Sequence, residues 1–316
     1  VRRVKKKKII VVVGPTASGK TALAISLAKE FNGEIISADS MQIYKDMNIA
    51  TAKPTTDEMS GIPHHLIDFL PPTETFSVAD FVTLAKEKID DVMKRGKTPI
   101  IAGGTGLYID TLINNINLPE DKSDDEYRAK LQKLADEKGN DYLLEMLKDV
   151  DPKMADTLHA NNQKRIIRAL EIYKNTGIPM SEHIEKSKLY ESDYNPLFIG
   201  LNFRDREKLY QRINLRVDKM IEAGLLKEAK DFYNNTAGQT ATSAIGYKEL
   251  KPYLDGGLSL DECVDKLKME TRRYAKRQLT WFRKNENINW LYPDDYNNDY
   301  NAVINEAKKL CIEFLK

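Results

Sequence analysis

The octapeptide Gly14-Pro15-Thr16-Ala17-Ser18-Gly19-Lys20-Thr21 fits G-x-x-x-x-G-K-[ST] and stands between a β-branched apolar run, Ile9–Val13, and a helix-patterned segment, Thr21–Phe31. Strand, glycine-rich turn and helix in that order form a phosphate-binding loop. The glycines let backbone N–H groups converge on phosphate oxygens, and the helix N-terminus adds partial positive charge. Lys20 supplies a point charge and Thr21 a hydroxyl ligand for Mg2+. The motif requires an α/β fold around a parallel sheet, and the flanking pattern agrees. Glu34–Ser37 and Pro99–Ala102 read as strands, and Val78–Arg95 as a helix.

From about Leu118 to Ser192 the pattern turns purely helical. It opens on an acidic cluster (Glu120, Asp121, Asp124, Asp125, Glu126) and carries Leu131, Leu134, Leu143 and Leu147 at helical spacing. Leu197–Phe203 then reads as another buried strand, so the helical block is an insertion into a discontinuous core. Long helices follow; in one, Asp205 is an N-cap and Leu209, Ile213, Val217, Met220 and Ile221 form an apolar stripe. The expected fold is a P-loop NTPase-like parallel sheet flanked by helices, with an inserted all-helical domain at 118–192 and a helical C-terminal region; 1–117 and 193–316 form the core.

Beyond the loop, Ser37-Ala38-Asp39-Ser40-Met41-Gln42 follows the second strand. In a doubly wound sheet the carboxyl edge binds ligands, which sets Asp39 beside the phosphates. Asp39 then orders substrate, reaches magnesium through water, or acts as a general base; a helix cap is the alternative. The strand 98–102 ends in Gly103-Gly104-Thr105-Gly106 with no acid. Asp68 is the nearest candidate for a magnesium carboxylate and reads as a structural acid, as His64 and His65 read as structural histidines.

Across 316 residues, 49 Lys+Arg balance 48 Asp+Glu, so the whole-chain charge is silent about a polyanionic partner. The two cysteines, Cys263 and Cys311, are too few for a disulfide framework and read as buried thiols in a reducing cytoplasm. The five-residue apolar run near the N-terminus is far short of a membrane span. No membrane partner is expected, and a monomer is the default.

Charge is nevertheless locally patterned. Between Lys266 and Lys284 eight basic residues face one acid, Glu270. On a helix, Arg273, Lys276, Arg277, Thr280 and Lys284 share a face opposite Val264, Leu267, Ala275, Leu279 and Phe282. A solvated face is the ordinary meaning of such a pattern; a face of nearly one sign also suits a phosphate backbone. Lys164, Arg165 and Arg168 form a second basic cluster in the insertion.

Seven segments in order, GPTASGKT (Gly14–Thr21), SADSMQIY (Ser37–Tyr44), IATAKP (Ile49–Pro54), GIPHHLID (Gly61–Asp68), GGTGLY (Gly103–Tyr108), QKRIIRALEIY (Gln163–Tyr173) and RRYAKRQLTWFR (Arg272–Arg283), resemble the tRNA dimethylallyltransferases, or tRNA isopentenyltransferases. The resemblance covers most of the chain. It implies transfer of a dimethylallyl group from its diphosphate to the exocyclic amine of the adenosine 3′ of the anticodon, in tRNAs reading codons that begin with U. With no C-terminal zinc-finger set, the chain resembles the bacterial form.

The chemistry suits the residues. An exocyclic adenine amine has a delocalised lone pair, so a positioned proton acceptor helps, and Asp39 is the candidate. The loop, Lys20, Thr21 and Mg2+ stabilise the departing diphosphate. Thr105 hydrogen-bonds the adenine or Asp39, or is a turn residue. Arg212 and Arg216 lie four apart on one helix and reach the diphosphate, at least through Arg216, or face solvent.

By resemblance, Asp39, Ser40, Met41, Gln42, Gln163, Lys164, Arg165, Arg168, Gly246, Tyr247 and Lys248 contact the anticodon stem-loop, with Thr105, Arg273, Lys276 and Arg277 beside them. Tyr247, Trp281 and Tyr108 are stacking candidates, or core. The alternatives are transfer of the prenyl group to free adenine nucleotides, a nucleotide kinase, and a non-catalytic RNA-binding protein.

Overall fold

Ile9, Ile10, Val11, Val12 and Val13 are all completely buried, because the strand they form has a neighbour on each side and helices on both faces. The computed structural model describes residues 6–116, 124–187, 191–235, 241 and 244–316. The leading Val1–Lys5 and the acids Glu120 and Asp121 lie outside these. Six parallel strands, β1 (Lys7–Val13), β2 (Gly33–Ser37), β3 (His64–His65), β4 (Thr98–Gly103), β5 (Tyr194–Leu201) and β6 (Ile288–Leu291), stand in the order β3-β2-β4-β1-β5-β6.

One face of the sheet, through Ile10, Val12, Ile35, Ile100 and Ile199, packs on Leu23 and Leu27 of the helix Lys20–Glu30 and on Val303 and Ala307 of the helix Tyr300–Leu315. Helix Val78–Lys94 packs against β2 and β4; a Ser77/Asp80 capping box starts it and Phe81, Ala85, Ile89 and Val92 are its buried side chains. Two short strands escape the sequence patterning. β3 is two residues long, and β6 (Ile-Asn-Trp-Leu) closes the far edge in a region expected to be all helix. β6 fits because Gly200 opposite it has no side chain; a Cβ there would lie 2.6 Å from Trp290.

His65 Nε2 meets Glu34 Oε2 at 2.7 Å, and Arg95 and Lys97 converge on the same carboxylate. Those partners, Arg95 foremost, hold the Glu34 carboxyl well below the usual range. Asp68 pairs with Lys53 at 2.5 Å. Cys263 and Cys311 are buried free thiols.

The chain divides into two units, Val1–Leu112 with Asp193–Lys316, and Ile113–Ser192. The second is helical among its described residues. Leu131, Leu143, Leu147, Ile166 and Leu170 form its core. The wholly buried Glu171 accepts from the Asp124 amide, Arg128 and Arg168. No helix among the described residues is long and apolar enough to cross a membrane.

Candidate active site

Strand register sets the site. Val13 of β1 is level with Gly103 of β4, and Ser37 of β2 with Ala102. The phosphate loop, the Asp39 segment and the Gly103-Gly104-Thr105-Gly106 turn therefore leave the sheet side by side at its carboxyl edge. A cavity of about 330 Å³ opens there, lined by Thr16, Lys20, Thr21, Asp39, Ser40, Met41 and Gln42. Arg216, Val217, Met220, Leu267, Tyr274, Arg277 and Gln278 from two long helices, Arg206–Glu222 and Leu260–Phe282, complete its wall with Gly246 and Lys248.

The loop has the form an anion requires. Gly19, with φ of 97°, precedes a helix whose first turn has no acid and no side-chain cap, so its amides are open to a ligand. Glycine is obligatory there, since a Cβ would fall 1.9 Å from the Tyr300 hydroxyl, which donates to the Ser18 carbonyl. Ser18 Oγ is buried with no partner. Lys20 Nζ reaches the Pro15 carbonyl at 3.4 Å. Burial first, then the neighbouring Arg216, lowers the Lys20 ammonium to about 8, against the opposing pull of Asp39. Burial likewise lowers Arg216, and Asp39 again opposes it.

A titration follows from this. With its midpoint lowered to about 8, Lys20 goes from mostly charged to mostly neutral as pH rises through that region, and only the charged form attracts an anion. Affinity for a non-transferable alkyl diphosphate is expected to hold from about pH 6.5 to 7.5 and then to fall up to about tenfold per pH unit above 8. Calorimetric titration across that range, with a buffer series to count protons taken up, measures it; a flat profile to pH 9.5 would remove Lys20 from the anion site.

The two arginines separate. Arg216 lines the cavity beside Lys20 and Asp39. Arg212 lies outside it, where its Nε donates to the Ala17 carbonyl at 3.0 Å and props the loop from behind. Asp39 Oδ1 accepts from the amides of Met41 (2.9 Å) and Gln42 (3.3 Å), so it caps the next turn and also faces the cavity. Thr105 Oγ1 accepts from the Ser40 amide at 3.1 Å, which holds the β4 turn to the Asp39 segment. The glycines around Thr105 make this possible: a Cβ on Gly103 would sit 2.1 Å from the Ala38 carbonyl oxygen.

Glu228 shapes another wall. Its carboxylate accepts from the Asn48, Ile49 and Ala50 amides at 2.8–3.0 Å and from the Tyr247 hydroxyl at 2.8 Å. Gln42 Nε2 donates to the Thr51 and Ala52 carbonyls of the same loop. Tyr247, expected among the RNA contacts, is completely buried, so its side chain is a strut of this wall and not a base platform. Tyr108 stacks on Phe81 in the core at 4.4 Å, and the Trp281 indole N–H donates to Asp110 at 2.7 Å. Tyr247 and Tyr108 take the core alternative, while Trp281 is half-buried.

On the helix Leu260–Phe282, Arg273, Lys276, Arg277, Thr280 and Lys284 just beyond it are exposed, while Leu267, Ala275 and Phe282 are buried. Arg273 is paired with Glu270 at 2.6 Å, and Arg277 stands at the cavity. In the inserted unit, Lys164 and Arg165 are exposed on the first turn of helix Gln163–Thr176, beside half-buried Gln163; Arg168 is bound to Glu171.

Gln278 and Tyr274 also line the cavity, and sequence reasoning missed both. Gln278 Oε1 accepts from the Thr16 amide and its Nε2 donates to the Gly104 carbonyl, both at 2.9 Å. The available signal was a glutamine falling at i+3 on the stripe Ala275, Gln278, Phe282 of an otherwise apolar face.

The model of the IPP transferase family matches residues 42–285. The chain belongs to that family. It is 50% identical over 313 residues to the tRNA dimethylallyltransferase of Thermoanaerobacter sp. (strain X514), spanning 98% of this chain and 97% of that one. Its fold is similar to the crystal structure of the tRNA delta(2)-isopentenylpyrophosphate transferase of Staphylococcus epidermidis, with TM-score 0.71 and 44% identity over 98% of this chain and all of the other. It is also similar, at TM-score 0.72 and 36% identity, to a eukaryotic dimethylallyltransferase captured acting on tRNA, over 87% of this chain and 70% of that one. Within this family the loop Gly14–Thr21 and Asp39 precede the matched segment, and the cavity unites both with it.

Proposed function

We propose that this enzyme transfers the dimethylallyl group of dimethylallyl diphosphate to the exocyclic amine of the adenosine 3′ of the anticodon, in tRNAs reading codons that begin with U. The observation carrying the reading is the meeting of Lys20, Arg216 and Thr16 and Thr21 of the loop with Asp39 in one cavity, where Thr105 holds the neighbouring Ser40 amide. It joins an anion site to a proton acceptor.

The loop amides, Lys20 and Arg216 hold the diphosphate, and the apolar side chains of Val217, Met220 and Leu267 face the five-carbon group. The adenine amine attacks the allylic carbon, the carbon–oxygen bond breaks toward the diphosphate, and Asp39 receives the amine proton. Thr105 keeps the Asp39 segment in register. Magnesium fits the donors offered: Thr21, a residue with a hydroxyl oxygen, lines the cavity next to Lys20, and Mg2+ takes its remaining ligands readily from phosphate oxygens and water. When bound it would neutralise charge on the leaving diphosphate. The acceptor adenosine must leave its stack to reach this cavity, and a monomer suffices.

Lys248, Arg277, Arg273 and Lys276, with Lys164, Arg165 and Arg168 of the insertion, supply the contacts to the anticodon stem-loop. Binding of tRNA should therefore weaken steeply with salt, by about 0.7–0.9 in the logarithmic slope per phosphate neutralised, while diphosphate binding in the half-enclosed cavity changes little. Filter binding and calorimetry from about 50 mM to about 400 mM salt compare the two; equal slopes would contradict it.

The function is tested by incubating the protein with Mg2+, labelled dimethylallyl diphosphate and unmodified tRNA or AMP, and separately with ATP and nucleoside monophosphates. Label in tRNA alone is expected. Label in AMP would favour the free-nucleotide transferase, and ATP-dependent phosphorylation a kinase.

A further inference from the structure

The phosphate loop and the Thr105 turn come from different strands, and one buried side chain bonds to both. Gln278 is 5% exposed; its carbonyl oxygen accepts from the Thr16 amide and its amide nitrogen donates a hydrogen bond to the Gly104 carbonyl. The fit is built from both sides. A Cβ on Gly104 would lie 2.1 Å from Gln278 Nε2, so the glycine is what admits the amide. One turn further along the same helix, Trp281 fills the space above Gly106, where a Cβ would fall 2.3 Å from its ring, and its N–H holds Asp110. No apolar side chain could replace Gln278, because Thr16 presents a donor and Gly104 an acceptor, and the side-chain amide answers both in one orientation.

We propose that Gln278 is a positioning residue that fixes the distance between the diphosphate subsite and the acceptor-amine subsite. The inference rests on the functional reading above, in which the loop carries the leaving group and Thr105 orders the segment bearing Asp39. Misplacement of reacting atoms by as little as about 1 Å can cost about a hundredfold in rate, so a clasp between the two halves acts on turnover more than on binding of either substrate.

Two variants separate this from a bulk packing role. Gln278→Ala is expected to lower kcat by tenfold or more, with KM for each substrate within about threefold of wild type. Gln278→Glu keeps the volume and the acceptor for Thr16. Its second oxygen meets the Gly104 carbonyl as acceptor against acceptor when ionised and as a donor when protonated. The ratio of Gln278→Glu to wild-type kcat should therefore rise as pH falls from 8 to 6, while the ratio for Gln278→Ala stays flat.

A pH-independent Gln278→Glu ratio, or a Gln278→Ala effect confined to KM, would overturn the proposal. If Gln278→Ala does not fold, the Gln278→Glu ratio decides alone. If wild-type protein transfers no dimethylallyl group to tRNA, the functional reading has failed; the clasp is then read by amide exchange. Loosening at 14–18 and 103–106 together in either folded variant supports it, and unchanged protection at one of the two rejects it.

Discussion

Asp39→Asn is expected to lower the rate of prenyl transfer about 10²- to 10⁴-fold, the usual contribution of a positioned general base, while leaving the protein folded and both substrates bound. The asparagine oxygen can still accept from the Met41 and Gln42 amides, so the turn that Asp39 caps survives. What is lost is the site for the amine proton. Binding of the diphosphate should not weaken, because the change removes a negative charge from the neighbourhood of Lys20 and Arg216. Single-turnover transfer rates, with calorimetric affinities for the two substrates, check this. A normal rate in Asp39→Asn combined with a slow, loosened Asp39→Ala would leave Asp39 only its capping role.

Arg216→Ala carries the second large effect. It removes one of two half-buried cations lining the cavity, and loss of one such preorganised charge typically costs about 10²- to 10³-fold in turnover. It also has a signature in pH. Arg216 is the charge that helps depress Lys20, so without it the fall in diphosphate affinity should begin above the wild-type pH of about 8. Arg212→Ala, whose side chain braces the Ala17 carbonyl outside the cavity, should leave that pH unchanged and reduce turnover less. Presteady-state kinetics and the pH series on the two variants distinguish them; equal effects would mean that the loop and the cavity wall are not separable.

The sequence made the centre of the site legible because its spacing is dictated by backbone chemistry. Gly14 to Thr21 carry their function in N–H directions that a strand, a turn and a helix must produce, and Asp39 follows from a strand ending at the same edge. Side-chain direction was harder. Arg212 and Arg216 share a helix face, and only the packing of that helix against the loop shows that one enters the cavity and the other braces it from outside. Tyr247 sits within a motif that resemblance assigns to RNA, yet Glu228 and the Ile43–Met47 core claim its ring.

β6 was illegible for a different reason. Four residues are too few to give a period, and the strand's place depends on the absent side chain of Gly200 on the neighbouring strand β5, far earlier in the chain. The near balance of acidic and basic residues also concealed the exposed basic face of the helix Leu260–Phe282, since that charge is compensated elsewhere in the chain.

The central claim is that this one cavity joins the diphosphate to a particular adenine amine. Its most direct test is to label unmodified tRNA with the enzyme, Mg2+ and dimethylallyl diphosphate, digest the product, and locate the added group by fragment mass. The group is expected on the exocyclic nitrogen of the adenosine 3′ of the anticodon and nowhere else, with one diphosphate released per group transferred. Modification at another nucleotide, or diphosphate release without transfer, would contradict it.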